Sequence, residues 1–286
     1  MRRAGGLLAV AALVAALTLA VGACSGSSKP TTAVDRFKQI LGHAPTGVAR
    51  AVALKGQIVV ADDGGYPPQS WIDKSGTLQG FDVDVANKVG KLLGVKVAFT
   101  NPTWDAVPGG LRTGAFDVSI GSLAPTAELR AMIDFTSPYY YTGGQLAVKR
   151  GTPPILSAAG LSGKIVGVGA QTTFFYWLRS HTTATVKAFT TEADAFPRLK
   201  DGTLGAIMAA QPTLKQAIKS GEPFTLSGSP LFYQGLAFGV RKGQHDLLAV
   251  LNYAIRTMQS DGTLSRLSEE WFSGLDLSAK GASPAP

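Results

Sequence analysis

The spacing of apolar residues changes several times along the chain, and each change marks an element. An almost unbroken apolar run covers residues 7–21, preceded by Arg2 and Arg3 and ended by Gly22, Ala23 and Cys24. At roughly 15 residues it is shorter than the ~18–20 that a spanning helix needs; a basic start, an apolar centre and a small-residue end make a secretory signal. Val34, Phe37, Ile40 and Leu41 then recur at helical spacing before Gly42 and Pro45. That pattern predicts a short surface helix over residues 34–41.

From Gln57 onward short β-rich runs alternate with amphipathic stretches. Ile58-Val59-Val60 is followed by a helical pattern over 83–93, the run Val95-Lys96-Val97-Ala98-Phe99, a helical pattern near 104–112, and Val118-Ser119-Ile120. The alternation restarts at Lys164-Ile165-Val166-Gly167-Val168 and continues through a helix over 173–179, the run Val186-Lys187-Ala188-Phe189, a helix over 192–200, and Ala206-Ile207-Met208. A strand over 236–240 and helices over 247–258 and 264–271 close the chain. Alternation of this kind predicts an α/β fold of two βαβ lobes with parallel sheet. The closing helices need the first lobe as a partner, so the second lobe is an insertion and the chain crosses between lobes twice, near 145–150 and 234–240. The expected organisation is a signal peptide over 1–23, a tether with a short helix over 24–56, lobe 1 over 57–147 and 236–275, lobe 2 over 148–235, and a disordered tail over 276–286. Two crossings make a two-stranded hinge, and ligands of open parallel sheets sit beyond the C-terminal strand ends.

Cys24 is the only cysteine, which excludes an intrachain disulfide. Its place after Val21-Gly22-Ala23 is similar to the lipobox of bacterial lipoproteins, where the cysteine is lipidated, and the Ser, Gly, Pro and Thr residues over 25–32 read as a flexible tether. With 27 basic and 19 acidic residues the net charge is +8; cleavage before Cys24 removes Arg2 and Arg3 and leaves 25 against 19, or +6. No dense Lys/Arg run or nucleic-acid motif accompanies the excess, so it reads as a solvated basic surface. His43, His181 and His245 are scattered without metal-ligand spacing.

More specific are motifs that occur in series: Asp63-Gly64-Gly65-Tyr66-Pro67-Pro68, Gly80-Phe81-Asp82-Val83-Asp84-Val85-Ala86, Asn101-Pro102-Thr103-Trp104-Asp105, Gly114-Ala115-Phe116-Asp117-Val118, and Asp134-Phe135-Thr136-Ser137-Pro138-Tyr139. Their order and spacing resemble the bacterial extracellular solute-binding proteins of family 3, receptors of polar amino acid ABC importers, over residues 57–272. The resemblance implies a periplasmic-binding-protein-like fold that captures a small solute by hinge closure. It further implies delivery to a permease with its ATPase, no cofactor, a monomer, and a location outside the cytoplasm, lipid-anchored to the outer face of the cytoplasmic membrane or in the periplasm. Carried over by position, the implied ligand contacts are Asp63, Tyr66, Trp104, Ser122, Thr126 and Arg130 in the first lobe and Thr172, Thr173 and Phe174 in the second. Phe81, Val83 and Val85 read as packing, and Asp82 and Asp84 as charges meeting the positive end of a helix.

Three positions depart from the family pattern. The arginine that usually meets a ligand carboxylate follows a Thr-x-Glu; here Thr126-Ala127-Glu128 is followed by Leu129, with Arg130 one residue late. One helical residue is about 100° of rotation. The aspartate that usually meets an ammonium falls on Ala210, and a hydroxyl position between Ser122 and Thr126 is Ala124. A desolvating cleft must answer the charges of its ligand, so these departures predict a solute less zwitterionic than an ordinary amino acid, such as a cationic or aromatic nitrogen compound. Two alternatives stay open: an enzyme like the cyclohexadienyl dehydratases, which resemble the same family, with Glu128 as its nearest candidate acid or base, and a ligand-sensing accessory protein.

Overall fold

The structure, a computed structural model, describes residues 32–279. The expected signal segment, Cys24 and most of the expected tether lie outside them, as do residues 280–286 of the expected tail. The start of that tail is packed and not disordered, with Leu277 buried in the core and its carbonyl accepting from the Tyr141 N–H. Helix α1 (Ala33–Leu41) begins at a reciprocal cap in which the Thr32 hydroxyl accepts from the Asp35 N–H and the Asp35 carboxylate accepts from the Thr32 N–H. Helix α2 (Gly47–Lys55) follows, and its buried residues Ala49, Val52 and Ala53 are mostly too small to signal a helix in the sequence.

Next come β1 (Gln57–Ala61), a small antiparallel flap of β2 (Gly65–Tyr66), β3 (Ser70–Ile72) and β4 (Leu78–Gln79), then α3 (Phe81–Leu93) and β5 (Lys96–Thr100). A 3₁₀ turn at Trp104–Ala106 leads to α4 (Val107–Thr113), β6 (Val118–Leu123), α5 (Ala127–Met132), β7 (Ile133–Phe135) and β8 (Tyr140–Lys149). After these stand β9 (Ile165–Gly169), α6 (Thr173–His181), β10 (Thr185–Phe189), α7 (Phe196–Lys200), β11 (Ala206–Ala210), α8 (Gln211–Lys219) and β12 (Phe224–Ser227). Strand β13 (Tyr233–Arg241) and helices α9 (His245–Ser260) and α10 (Thr263–Trp271) complete the described fold.

The main sheet runs β10-β9-β11-β8-β13-β6-β1-β5. Strand β1 pairs in parallel with β5 and β6, and β9 with β10 and β11, so each half is a βαβ sheet of the expected kind. The halves are joined by β8 and β13, which pair antiparallel from Tyr233↔Gly143 to Leu236↔Tyr140. Beyond that ribbon β8 pairs with β11, starting at Ala210↔Gly144, while β13 pairs with β6 from Ala237↔Leu123. The first crossing thus sits at residues 140–143, upstream of the 145–150 read from the sequence. Strand β8 is one ten-residue strand that changes partners at Gly143-Gly144, inside an otherwise continuous run.

Both faces of each half are covered, and the central strands β6 and β11 are buried along their whole length, the pattern of parallel sheet under helices. The first core gathers Phe37, Ile58, Phe81, Leu93, Ile120 and Phe238 with Leu251, Ile255 and Met258 of α9. The closing helices therefore seal the first lobe. Opposite, Leu146, Val166, Val168, Phe174 and Met208 pack on one face of the second half and Leu199, Ile207, Leu214 and Phe224 on the other. Gly80 has a steric reason to precede Phe81: its φ is 132°, and a Cβ there would lie 2.4 Å from the Gln69 carbonyl oxygen. Only glycine admits that approach.

Candidate ligand-binding cleft

The loops after β1, β6, β9 and β10 open into one cavity of about 860 Å³, floored by the β8–β13 ribbon through Tyr140, Thr142, Gln234 and Leu236. Its size suits a small solute. Two non-glycine residues with left-handed backbone, Ser122 (φ 54°) and Gln171 (φ 58°), line it, one at the end of β6 and one beyond β9. Such a conformation costs on the order of 1–3 kcal/mol and persists where surrounding contacts fix it.

At Ser122 those contacts are visible. Its hydroxyl donates to Asp82 Oδ2 at 2.7 Å and accepts from Tyr140 at 2.6 Å, and its N–H reaches the Tyr139 hydroxyl at 3.2 Å. Tyr139 in turn donates to Asp82 Oδ1 at 2.5 Å. Asp82 is wholly buried, and burial, reinforced by the neighbouring Asp62 carboxylate, holds its carboxyl well above the usual range. Asp82 does stand in the first turn of α3, as expected, and is in addition the centre of a buried hydroxyl network. Asp84 accepts from the Trp271 indole at 2.9 Å.

Aromatic residues line both sides of the cavity. Tyr66 and Trp104 stand half-buried on the first side. On the second, Phe174 and Trp177 of α6 both pack against Phe232, with ring centroids 5.8 and 5.2 Å apart. Thr172 caps α6: its hydroxyl accepts from the Phe175 N–H at 3.2 Å and donates to the Gly169 carbonyl at 2.8 Å. Thr126 caps α5 by accepting from the Leu129 N–H. Thr173 lines the cavity, and its hydroxyl makes no hydrogen bond among the described residues.

The charges are one-sided. Asp63, Asp105, Glu128 and Glu192 line the cavity, and no Lys or Arg does among the described residues. Asp63 is half-buried, and desolvation raises its carboxyl above the ordinary value. Glu192 is 7% exposed, and burial pushes its carboxyl up to about 7, with the charge of Asp63 adding to the rise. These acids form no cluster of three placed to hold a metal among the described residues.

Residues 58–274 match the model of the bacterial extracellular solute-binding proteins, family 3. The chain belongs to this family. The L-cystine-binding protein TcyJ of Escherichia coli (strain K12) is 34% identical over 237 residues, covering 82% of this chain and 89% of its own length. Among solved structures, the ancestral amino acid-binding protein AncCDT-1, a precursor of cyclohexadienyl dehydratase, superposes with a TM-score of 0.72 at 30% identity, over 79% of this chain and 100% of that one. An ancestral arginine-binding protein bound to arginine does so with a TM-score of 0.70 at 32% identity, over 76% and 98% of the two chains. These relatives are binding proteins, the precursor of a dehydratase included.

Of the residues read from the sequence as family 3 contacts, Asp63, Tyr66, Trp104, Ser122, Thr126, Thr172, Thr173 and Phe174 line the one cavity. Arg130 does not. Leu129 occupies the cavity wall, while the exposed Arg130 is turned away, its Nε donating to the Pro125 carbonyl at 3.2 Å and its guanidinium lying 5.6 Å from the Phe135 ring centroid. The one-residue offset has the effect that helical rotation dictates. Ala210 is fully buried in β11 and lies outside the lining. Sequence reasoning missed Glu192 and Trp177. Trp177 shares a helical face with Phe174, a usable signal; Glu192 belongs to no quoted motif, and only the fold turns it inward.

Proposed function

We propose that this chain is an extracytoplasmic receptor of an ABC importer, tethered through Cys24, which captures an amino acid-like or other organic nitrogen solute and presents it to a permease. The observation that carries this reading is the cavity at facing strand ends, walled by aromatic and carboxylate side chains from both halves of the sheet. Family membership supports it. Residues 57–143 with 233–275 form one moving lobe and residues 144–232 the other, with the β8–β13 ribbon between them as hinge. Contacts that a solute makes with both walls favour the closed arrangement over the open one. The receptor works as a monomer and needs no cofactor.

A thermal-shift panel of amino acids and organic amines tests the receptor reading. A ligand at ~100 times its dissociation constant adds about 2.7 kcal/mol of stability. Small-angle scattering with and without the compound that shifts melting tests closure, and an unchanged radius of gyration counts against it. Replacing Cys24 by Ser should release the protein from the membrane fraction; retention of the variant there would refute the lipid anchor.

A further inference from the structure

We propose that Glu192 is the second-lobe ligand anchor of this cleft and that, facing Asp63 across the opening, it selects an organic cation without a carboxylate. The inference rests on the receptor reading above and narrows it to one solute class.

A carboxylate almost fully withdrawn from water normally has partners, since an unpaired buried charge is strongly unfavourable. Glu192 is 7% exposed, yet beyond its own backbone N–H its carboxyl has no hydrogen-bond or ion-pair partner among the described residues. It lines the cavity. Room is made for it behind: Gly169 ends β9 beneath the carboxyl, and a Cβ on Gly169 would lie 2.9 Å from Glu192 Oε1. The side chain is packed against bare backbone and open toward the cleft. The charge of Asp63 adds to that of Glu192 and raises the demand for a positive charge between the walls, while the nearby Tyr66 phenol is held neutral by burial and by the Glu192 charge.

The same cleft offers an anion no Lys or Arg charge among the described residues, and its unspent side-chain donors are neutral groups such as the hydroxyls of Thr126 and Thr173. Ser122 has spent its hydroxyl proton on Asp82 and directs its N–H to Tyr139. Thr172 donates its hydroxyl proton to Gly169. Arg130 points elsewhere, and His181, the one imidazole in the lining, stacks on Trp177 with Nδ1 beside the Trp177 carbonyl. A ligand carboxylate would enter a wall of four acids. A cation meets two carboxylates, one per lobe, and the aromatic side chains of Tyr66 and Trp104, of a kind that attracts positive charge.

Matched pairs decide the matter: agmatine against L-arginine, tyramine against L-tyrosine, and histamine against L-histidine, titrated calorimetrically into the mature protein. In at least one pair the amine should bind about tenfold or more tightly than its parent, and Glu192→Gln should weaken that amine by about 10- to 100-fold, the range for losing a charged hydrogen bond. Glu192→Asp should retain part of the affinity. The amine-to-parent ratio, and not affinity alone, is the readout, because a merely structural Glu192 would lower both affinities alike. If the amino acid wins in every pair, or Glu192→Gln leaves the amine unaffected, the inference is wrong and the receptor reading stands. If no compound of either series binds, both fail.

Discussion

Asp82, behind the first-lobe wall of the cleft, and Glu192, in the second-lobe wall, are both withdrawn from water, yet their surroundings differ. Asp82 accepts hydrogen bonds from Tyr139 and Ser122, whereas Glu192 has nothing beyond its own backbone. A buried polar group with every bond made inside the protein serves the fold; one left open toward a cavity waits for something outside it. Around Asp82 the first wall is pre-built, although Asp62 beside it keeps one buried carboxylate oxygen without a partner among the described residues; in the second wall the unanswered carboxylate lines the cavity itself.

Cutting the satisfied network should have the largest effect. Asp82→Ala removes the acceptor of two buried hydroxyls and leaves Tyr139 and Ser122 without it, at a cost of about 2–5 kcal/mol. Urea denaturation should show the drop in midpoint at unchanged slope. A loss under about 1 kcal/mol would mean that the network relaxes around water and that the two walls are alike.

Removing the unsatisfied charge should have the opposite sign. The folded-state value of Glu192, about 7, lies above its usual 4.5, so the folded chain holds this proton more tightly than the unfolded one. The contribution to stability is full below about pH 4.5 and is lost as pH rises through 7, by up to about 3 kcal/mol. Glu192→Gln should therefore gain on the parent protein as pH rises between those values, with the ligand-free proteins compared by thermal melting at each pH. Asp62, which burial pushes up to about 6, and Asp82, which is also raised, contribute slopes of the same sign to both proteins and cancel in the difference, whereas Asp63, whose charge acts on Glu192, is relieved in the variant and adds to its gain. A difference that stays flat with pH would show Glu192 to be solvated.

A subtler perturbation leaves the charge and moves it. Gly169→Ala places a Cβ 2.9 Å from Glu192 Oε1 and 3.2 Å from Thr172 Cγ2, so the carboxyl must shift into the cleft. Overpacking of this degree costs about 1–3 kcal/mol, and the expectation lies at the lower end because a side-chain tip can yield. Amine affinity should fall while the fold survives; unchanged affinity would mean that the position of Glu192 is not set from behind.

Much of the scaffold was legible in the sequence for a simple reason: period-two and period-3.6 apolar patterns report burial, and in this fold nearly every strand and helix buries one. The spans around Ile58, Val83, Val166 and Leu247 are read within a few residues. Helix α2 escaped because alanines at Ala49 and Ala53 bury little, and the β2–β4 flap because strands of two or three residues carry no period. The cleft was legible where strand-end loops hold aromatic or hydroxyl side chains, as at Tyr66, Trp104 and Thr172. It was opaque where the deciding fact is what a side chain already bonds. Nothing in the letters Ser122 says that its donors are consumed, and nothing in Glu192 says that its carboxyl has no partner.

Arg130 gives the smallest effect and the sharpest test of that lesson. Position in the motif suggests a carboxylate anchor, whose removal would abolish binding; the structure instead shows an exposed guanidinium over Phe135 with one contact to a carbonyl. An exposed cation–π contact contributes about 0.5–1 kcal/mol. Arg130→Ala should accordingly shift stability by no more than that and leave the affinity for any captured solute within about twofold of the parent, a difference under about 0.5 kcal/mol. Titration of the same ligand into both proteins checks it. A loss of tenfold or more would put Arg130 back at the ligand, require α5 to rotate on closure, and give the first wall a positive charge where the present geometry offers only carboxylates.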